Sequence, residues 1–300
     1  MTRSLATTRP GILSIITLTL LASAACLDAA ERGSPNTRWT TIGPPVGTLL
    51  IDGGHDQGKA KDAFLSLVGD PEALIVVIPT AGADEACEED SPTIEALRQR
   101  GAKNVKVLHT RRRAVANTDE FVAPLKEAKG VWMAGGRQSR LAKAYLHTLT
   151  HRELFGVLER GGVIAGTSAG ASIQGSYLYG GQSAGEVGFG FVRDAAIGQH
   201  FVRRRRHLPE TSGLPKVVAR NPGLLGIGID EETFIIVRGD VFTVGGYGKV
   251  AIADATRPNW PGEEPHEFFI PGDAYDMKQR RAIVHRASNA ENQWDGAKKE

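Results

Sequence analysis

Two hydrophobic periods alternate along the chain. Thr48 to Asp52 (TLLID) is an apolar run that stops at Gly53-Gly54. Lys59 to Val68 follows, with Ala60, Ala63, Phe64 and Leu67 spaced to share one helical face. Ala73 to Pro79 (ALIVVIP) is rich in β-branched residues and closes on proline, as a buried strand does. Ser91 to Gly101 opens on a Ser-Pro cap and ends on glycine, which predicts a helix. The alternation continues: a strand over Asn104 to Leu108, a helix over Phe121 to Lys129, and a strand over Gly130 to Ala134 that ends at Gly135-Gly136. Ser139 to Leu158 reads as one or two helices. Gly162 to Ala165 reads as a strand, and Thr167 to Gly175 as a helix of small residues. This β-α repetition predicts an α/β fold, a mostly parallel central sheet with helices on both faces. In such sheets, sites form beyond the carboxyl ends of the strands. Farther on, Gly226 to Val237, Val241 to Val244, Val250 to Asp254 and Ala282 to His285 read as shorter strands with glycine turns.

The ends of the chain carry other signals. Arg3 and Arg9 precede an uncharged run from Ile12 to Ala25 that ends in Ala22-Ser23-Ala24-Ala25. A basic start, a short apolar stretch and a small-residue exit form a secretory signal peptide pattern, and the run is too short for a membrane span. Residues 1–30 are therefore expected to be a signal peptide and the protein to be exported, to periplasm or medium. Cys26 stands where a lipoprotein cysteine would. Ser23, three residues before it, replaces the large aliphatic usual there, so a lipid anchor is disfavoured. Residues 31–46, polar and holding Pro35, Pro44 and Pro45, read as a linker. One domain is expected over 47–288, then a polar tail over 289–300.

Composition narrows the function. Among 300 residues, 36 Lys+Arg against 34 Asp+Glu give a net charge of +2, which argues against a nucleic-acid binder driven by bulk charge. A hydrophobic share of 41% excludes a disordered chain. The two cysteines, Cys26 and Cys87, cannot form a disulfide framework. There is no H-E-x-x-H pattern and no Cys/His cluster, so neither a metal nor a cofactor is expected.

The strongest chemical feature is Gly166-Thr167-Ser168-Ala169-Gly170, a G-x-S-x-G string between an apolar strand and a helix. A nucleophile on such a turn carries strained backbone angles, and small flanking residues prevent clashes. The turn also sets the hydroxyl at a helix start, where the N–H of Ala169 can stabilise an oxyanion. Ser168 needs a base. His147, His151 and His285 fall on expected element surfaces and read as solvated. His200, in Gly198-Gln199-His200-Phe201, falls at a strand end after an apolar segment.

GTSAGAS, then GQHF followed by arginines, then GIGIDEET, then GDAYDMKQRR come in an order that resembles the cyanophycinase branch of the serine peptidase family that includes aspartyl dipeptidase. LLIDGG and WMAGGRQSRL fit the same pattern, and the resemblance spans roughly Gly47 to Arg281. It implies a class I glutamine amidotransferase-like three-layer α/β sandwich and hydrolysis of aspartyl-linked peptide bonds, β-aspartyl-arginine units in cyanophycinases. It also implies roles: Ser168 as nucleophile, His200 as base and Glu231 as the acid that orients it. Glu186 and Asp194 are rivals for that third place. Ala169 and Gly135 or Gly136 would supply the oxyanion N–H groups, Gln138 would contact substrate, and Arg204 and Arg206 would hold substrate carboxylates, a task that suits guanidinium forks.

Two departures bear on specificity. The Asp of the family's D-Q-H-F is Gly198 here, and the third arginine of the family's run falls at Pro209. The hydrolytic apparatus is thus kept while the pocket changes, which leaves β-aspartyl, isoaspartyl and α-aspartyl peptides open as substrates. A catalytically weakened binding protein on the same fold is a second reading. Without the resemblance, the Arg203 to Arg206 run reads as a solvated face or a polyanion patch. Arg111 to Arg113 match no motif and read as surface. The expected partner is an aspartyl-linked peptide, with no nucleic acid and no membrane beyond the signal segment, and a homodimer is left open.

Overall fold

The structure is a computed structural model that describes residues 39–83, 91–180, 186–201, 213–257 and 266–284. The signal segment, Cys26, Cys87, Arg203 to Arg206, Pro209, His285 and the polar tail lie outside the described residues.

Strands β1 (Thr48–Asp52), β2 (Ile75–Ile78), β3 (Val105–Val107), β4 (Gly130–Met133) and β5 (Val163–Thr167) form a parallel block in the order β1-β5-β4-β2-β3. On the other flank of β1, four strands continue the sheet antiparallel. They are β10 (Thr233–Arg238), β11 (Val241–Gly246), β14 (Ala274–Asp276) and β15 (Arg281–Val284). Side chains on the parallel strands alternate between two cores. Leu49, Ile51, Val76, Ile78, Val131, Met133 and Ile164 enter one of them. Leu50, Ile75, Val77, Trp132, Val163 and Ala165 enter the other.

The second core is closed by α1 (Lys59–Val68) and α2 (Pro92–Gln99) through Ala60, Phe64, Val68, Ile94 and Leu97. The Ser91 hydroxyl caps α2 by accepting the Ile94 N–H, with Pro92 in the first turn. The first core is closed by α4 (Asp119–Glu127), α5 (Gln138–Tyr145) and α6 (Leu149–Glu159), which follow a short α3 (Arg113–Ala116). Helices therefore cover both faces, as the β-α repetition predicts, and the fold is a class I glutamine amidotransferase-like α/β sandwich.

A second sheet is not legible as such in the sequence. It has six strands in the order β13-β12-β9-β8-β6-β7, where β6 is Gly175–Leu178, β7 Glu186–Val187, β8 Val192–Gln199, β9 Leu225–Ile229, β12 Val250–Ala253 and β13 Glu267–Phe269. Its Val192, Ile197, Ile227 and Ile252 join the first core. The helix after the elbow, α7 (Ala169–Ser172), is shorter than Thr167 to Gly175, because the chain enters β6 at Gly175. The run Gly226 to Val237 is two strands in different sheets rather than one. The chain crosses between them at Asp230-Glu231-Glu232, with Glu232 in the left-handed region at φ 57°.

The described part of the expected linker is packed. Trp39 is buried, with its ring 5.1 Å from that of Phe155. Gly43 N–H donates to Gly239 O (2.8 Å), Ile42 N–H to Asp240 Oδ1 (2.7 Å) and Arg193 N–H to Ile42 O (2.8 Å). Polar, proline-bearing sequence reads as a tether, but one tryptophan and a few backbone bonds suffice to fix it. His151 is likewise not solvated: it sits at 3% exposure on the inner face of α6, where Nδ1 accepts the His147 N–H and Nε2–H donates to Phe189 O. Burial depresses its pKa to about 4.

Candidate active site

Ser168 sits between β5 and α7 at φ 54° and ψ −107°. A non-glycine residue in that region is strained, and the neighbours explain why it is held there. A Cβ on Gly166 would lie 2.1 Å from Gly170 O, and one on Gly170 would lie 2.2 Å from Met133 O. Both glycines of the G-x-S-x-G string are therefore required by close backbone approach.

Three backbone bonds then gather the site around the loop that leaves β1. Ser168 N–H donates to Asp52 O (3.0 Å), His200 N–H to Gly53 O (2.9 Å) and Glu232 N–H to Gly54 O (2.8 Å). Successive carbonyls of one turn thus hold the end of β5, the end of β8 and the crossing between β9 and β10. The turn must be glycine, since a Cβ on Gly53 would lie 2.0 Å from Asp230 O.

The side chains meet accordingly. Ser168 Oγ is 2.9 Å from His200 Nε2, and His200 Nδ1 is 2.8 Å from Glu231 Oε1. A carboxylate only accepts, so Nδ1 carries the ring proton and Nε2 is left as the acceptor for Ser168 Oγ–H. All three side chains are half-buried, open enough to meet a substrate. Of the rival acids, Asp194 lies exposed near the start of β8. Six residues of strand, about 20 Å, separate it from His200. Glu186 lies on β7, in register with Leu178.

His55 is a residue that sequence reasoning missed. Its Nε2 is 3.4 Å from Glu231 Oε1, and its ring stands edge-on to His200 with centroids 5.6 Å apart. Nothing local marks it. It follows Gly53-Gly54, and only the turn after β1 brings it to the site.

The other expected residues sit nearby. Gly135 lies against Ser168, since a Cβ there would be 3.4 Å from Ser168 Cβ, while Gly136, at φ 139°, packs on Ala81. Gln138, buried at the start of α5, donates its NH2 to Tyr179 O (3.1 Å) and Gly180 O (2.9 Å). Gly198 is covered by the Tyr179 ring, 3.1 Å from where a Cβ would be, so the position that departs from the family pattern has no room for a carboxylate unless that ring moves. Arg111, read as surface, instead donates Nη2 to Gly82 O and Ala83 O, and Arg140 bonds Ala81 O and Gly82 O; together they clamp the loop after β2. Buried Asp52 accepts the Gly54 N–H on Oδ1 (3.2 Å), and burial raises its pKa to about 6.

Residues 48–245 match the model of peptidase family S51. Cyanophycinases of Nostoc sp. and Trichormus variabilis are each 30% identical to the chain over 272 residues, covering 80% of it and 89% of their own length. The cyanophycinase of Geminocystis herdmanii is 29% identical over 221 residues, covering 69% of this chain and 79% of its own. In fold, the chain is similar to the crystal structure of a peptidase from an acI-B1 actinobacterium, with a TM-score of 0.63, 22% identity, and coverage of 78% of this chain and 98% of that one. With a family model spanning most of the folded part and relatives aligned over four-fifths of the chain, this protein belongs to peptidase family S51 and is a serine-type peptidase.

Proposed function

We propose that the protein hydrolyses aspartyl-linked peptide bonds, β-aspartyl bonds of the cyanophycin type above all, with Ser168, His200 and Glu231 as its catalytic residues. The observation that carries the assignment is the continuous contact from Ser168 Oγ through His200 to Glu231, at 2.9 and 2.8 Å. His200 Nε2 takes the Ser168 proton as Oγ attacks the amide carbonyl. Glu231 keeps the ring in the required tautomer and stabilises the imidazolium that forms. The N–H of Ala169 and that of Gly135 or Gly136 receive the oxyanion, at the elbow and at the Gly135-Gly136 turn beside it. His200 then protonates the leaving amine, and water, activated in the same way, releases the acyl group. Arg204 and Arg206 would bind the acidic end of the substrate.

The substrate class is supported by the named activity of the relatives. Gly198 under the Tyr179 ring supports a pocket unlike theirs, so α-aspartyl dipeptides are the alternative substrates. We assign the protein to an exported location on the strength of its N-terminal segment. The test is digestion of cyanophycin beside α- and β-aspartyl dipeptides, followed by product masses. Release of β-Asp-Arg units supports the first reading, and cleavage of α-aspartyl dipeptides alone supports the alternative. A Ser168→Ala protein that retained full activity would refute the mechanism.

A further inference from the structure

The sequence holds no run of metal ligands at a recognised spacing, yet the fold assembles one from three separate segments. His55 comes from the turn after β1, His200 from the end of β8 and Glu231 from the crossing between the sheets. Their ligand atoms all lie within 4.8 Å of one another. Two imidazoles and one carboxylate form a donor set that zinc takes with a water as fourth ligand. With metal–ligand bonds of about 2.1 Å, neighbouring ligands in a tetrahedral site stand about 3.4 Å apart. His55 Nε2 and Glu231 Oε1 already stand 3.4 Å apart. His200 Nδ1 and Glu231 Oε1, at 2.8 Å, would have to separate by about 0.6 Å once a cation replaces the proton between them. His55 is more than half exposed, so an ion can enter from solvent.

We infer that His55, His200 and Glu231 form a binding site for Zn2+ or a similar transition-metal ion, and that the ion switches the peptidase off. The binding stands on geometry alone; the switching rests on the catalytic assignment made above. Its chemistry is a change of tautomer. In the metal-free pair the ring proton is on Nδ1, and Nε2 accepts from Ser168. A metal on Nδ1 uses that lone pair, so the proton of the neutral ring moves through solvent to Nε2. Nε2–H then donates to Ser168 Oγ and cannot take its proton. One ion therefore occupies the acid-facing side of the base and disables its other side, without touching the serine.

His55→Asn separates this site from the catalytic relay. Asparagine tolerates the left-handed backbone that His55 adopts at φ 50°, and its amide is a poor zinc ligand. Zn2+ is titrated calorimetrically into the full chain, its H55N variant and a Glu231→Gln variant, in a weakly coordinating buffer at pH 7.5. In parallel, peptide cleavage is followed with added Zn2+ and then with EDTA. The wild type is expected to bind one Zn2+ at micromolar or tighter affinity, and both variants to bind at least tenfold more weakly. Inhibition of H55N is read against its own metal-free rate. The variant's half-inhibiting Zn2+ concentration should be at least tenfold higher than that of wild type, and EDTA should restore the wild type. Equal Zn2+ affinity in wild type and H55N would overturn the site, as would the absence of a one-to-one binding event in the wild type. Equal inhibition of the two would overturn the switch. A wild type that binds Zn2+ through these residues but cleaves no aspartyl peptide would refute the proposed aspartyl-bond activity and leave the metal site standing.

Discussion

Gly54 supports the imidazole of His200 directly: a Cβ added to Gly54 would lie 2.2 Å from His200 Cε1 and 2.8 Å from Nε2, the atom that faces Ser168. A methyl group there must push the ring away from the serine. Gly54→Ala is therefore expected to lower kcat by about 10²-fold or more, the scale of loss when a reacting group is misplaced by about an ångström. Backbone strain must be separated from this, because Gly54 sits at φ 113°. Gly101 provides the control, at φ 101° with nothing within 4 Å of its Cβ position. Gly101→Ala should cost about 1–2 kcal/mol of stability and leave turnover unchanged. Turnover falling equally in both variants would mean that the contact with His200 does not matter.

The third catalytic residue is settled by charge removal. Glu231→Gln keeps the shape of the side chain but can turn an NH2 towards His200 Nδ1–H, so the correct tautomer is no longer held. A loss of about 10³- to 10⁴-fold in kcat is expected, with KM little changed. Glu186→Gln and Asp194→Asn should stay within twofold of wild type. Steady-state kinetics on the three proteins decides it, and a large loss in either rival would remove Glu231 from the mechanism.

The parts of the site that were readable in the sequence are those made by local chain geometry. The elbow is one turn, and the steric reasons for Gly166 and Gly170 lie within or beside it. His200 was readable because a β-rich segment ends just before it. The apolar runs of the parallel strands were readable because each is buried on both faces. Glu231 was harder, since nothing local shows that the apolar stretches on either side of Asp230-Glu231-Glu232 belong to different sheets. The division between two sheets is decided by the bond from Glu232 N–H to Gly54 O and the close approach of Gly53 to Asp230, which join residues far apart in sequence. His55 was not readable for the same reason. The burial of His151 was hidden because its partners are a backbone N–H and a backbone C=O, which leave no trace in side-chain pattern.

Trp39 tests where the folded unit begins. Its buried ring packs on Phe155, and the segment it opens is bonded to the β10–β11 turn. Trp39→Ala should lower stability by about 3 kcal/mol, read as a fall of roughly 6–12 °C in Tm. Activity per folded molecule should be unchanged, because the site is held by the turn after β1 instead. A Tm within 1–2 °C of wild type would return residues 39–46 to the status of a tether.

Asp52 and His151 are buried groups whose pKa values are displaced in ways that oppose each other as pH changes. Burial raises Asp52 from 3.8 to about 6. Below pH 3.8 it is protonated in both folded and unfolded chains and contributes no pH dependence. As pH rises to about 6 the unfolded chain ionises while the folded one does not, so stability falls, by about 3 kcal/mol in all. Burial lowers His151 from 6.5 to about 4. Above pH 6.5 it is neutral in both states. As pH falls towards 4 the unfolded chain takes the proton first, and stability again falls by about 3 kcal/mol. Between about pH 4 and 6 the two contributions have opposite slopes and nearly cancel, so removing either group exposes the other. Asp52→Asn, whose Oδ1 can still accept the Gly54 N–H, should match wild type near pH 4, exceed it by up to about 3 kcal/mol at pH 6 and above, and keep its activity. His151→Gln, set against its own offset at pH 7, should show a relative gain of similar size only towards pH 4. Urea unfolding of the three proteins at pH 4, 5, 6 and 7 checks both. Stability differences from wild type that stayed level across that range would show that neither group titrates as its burial requires.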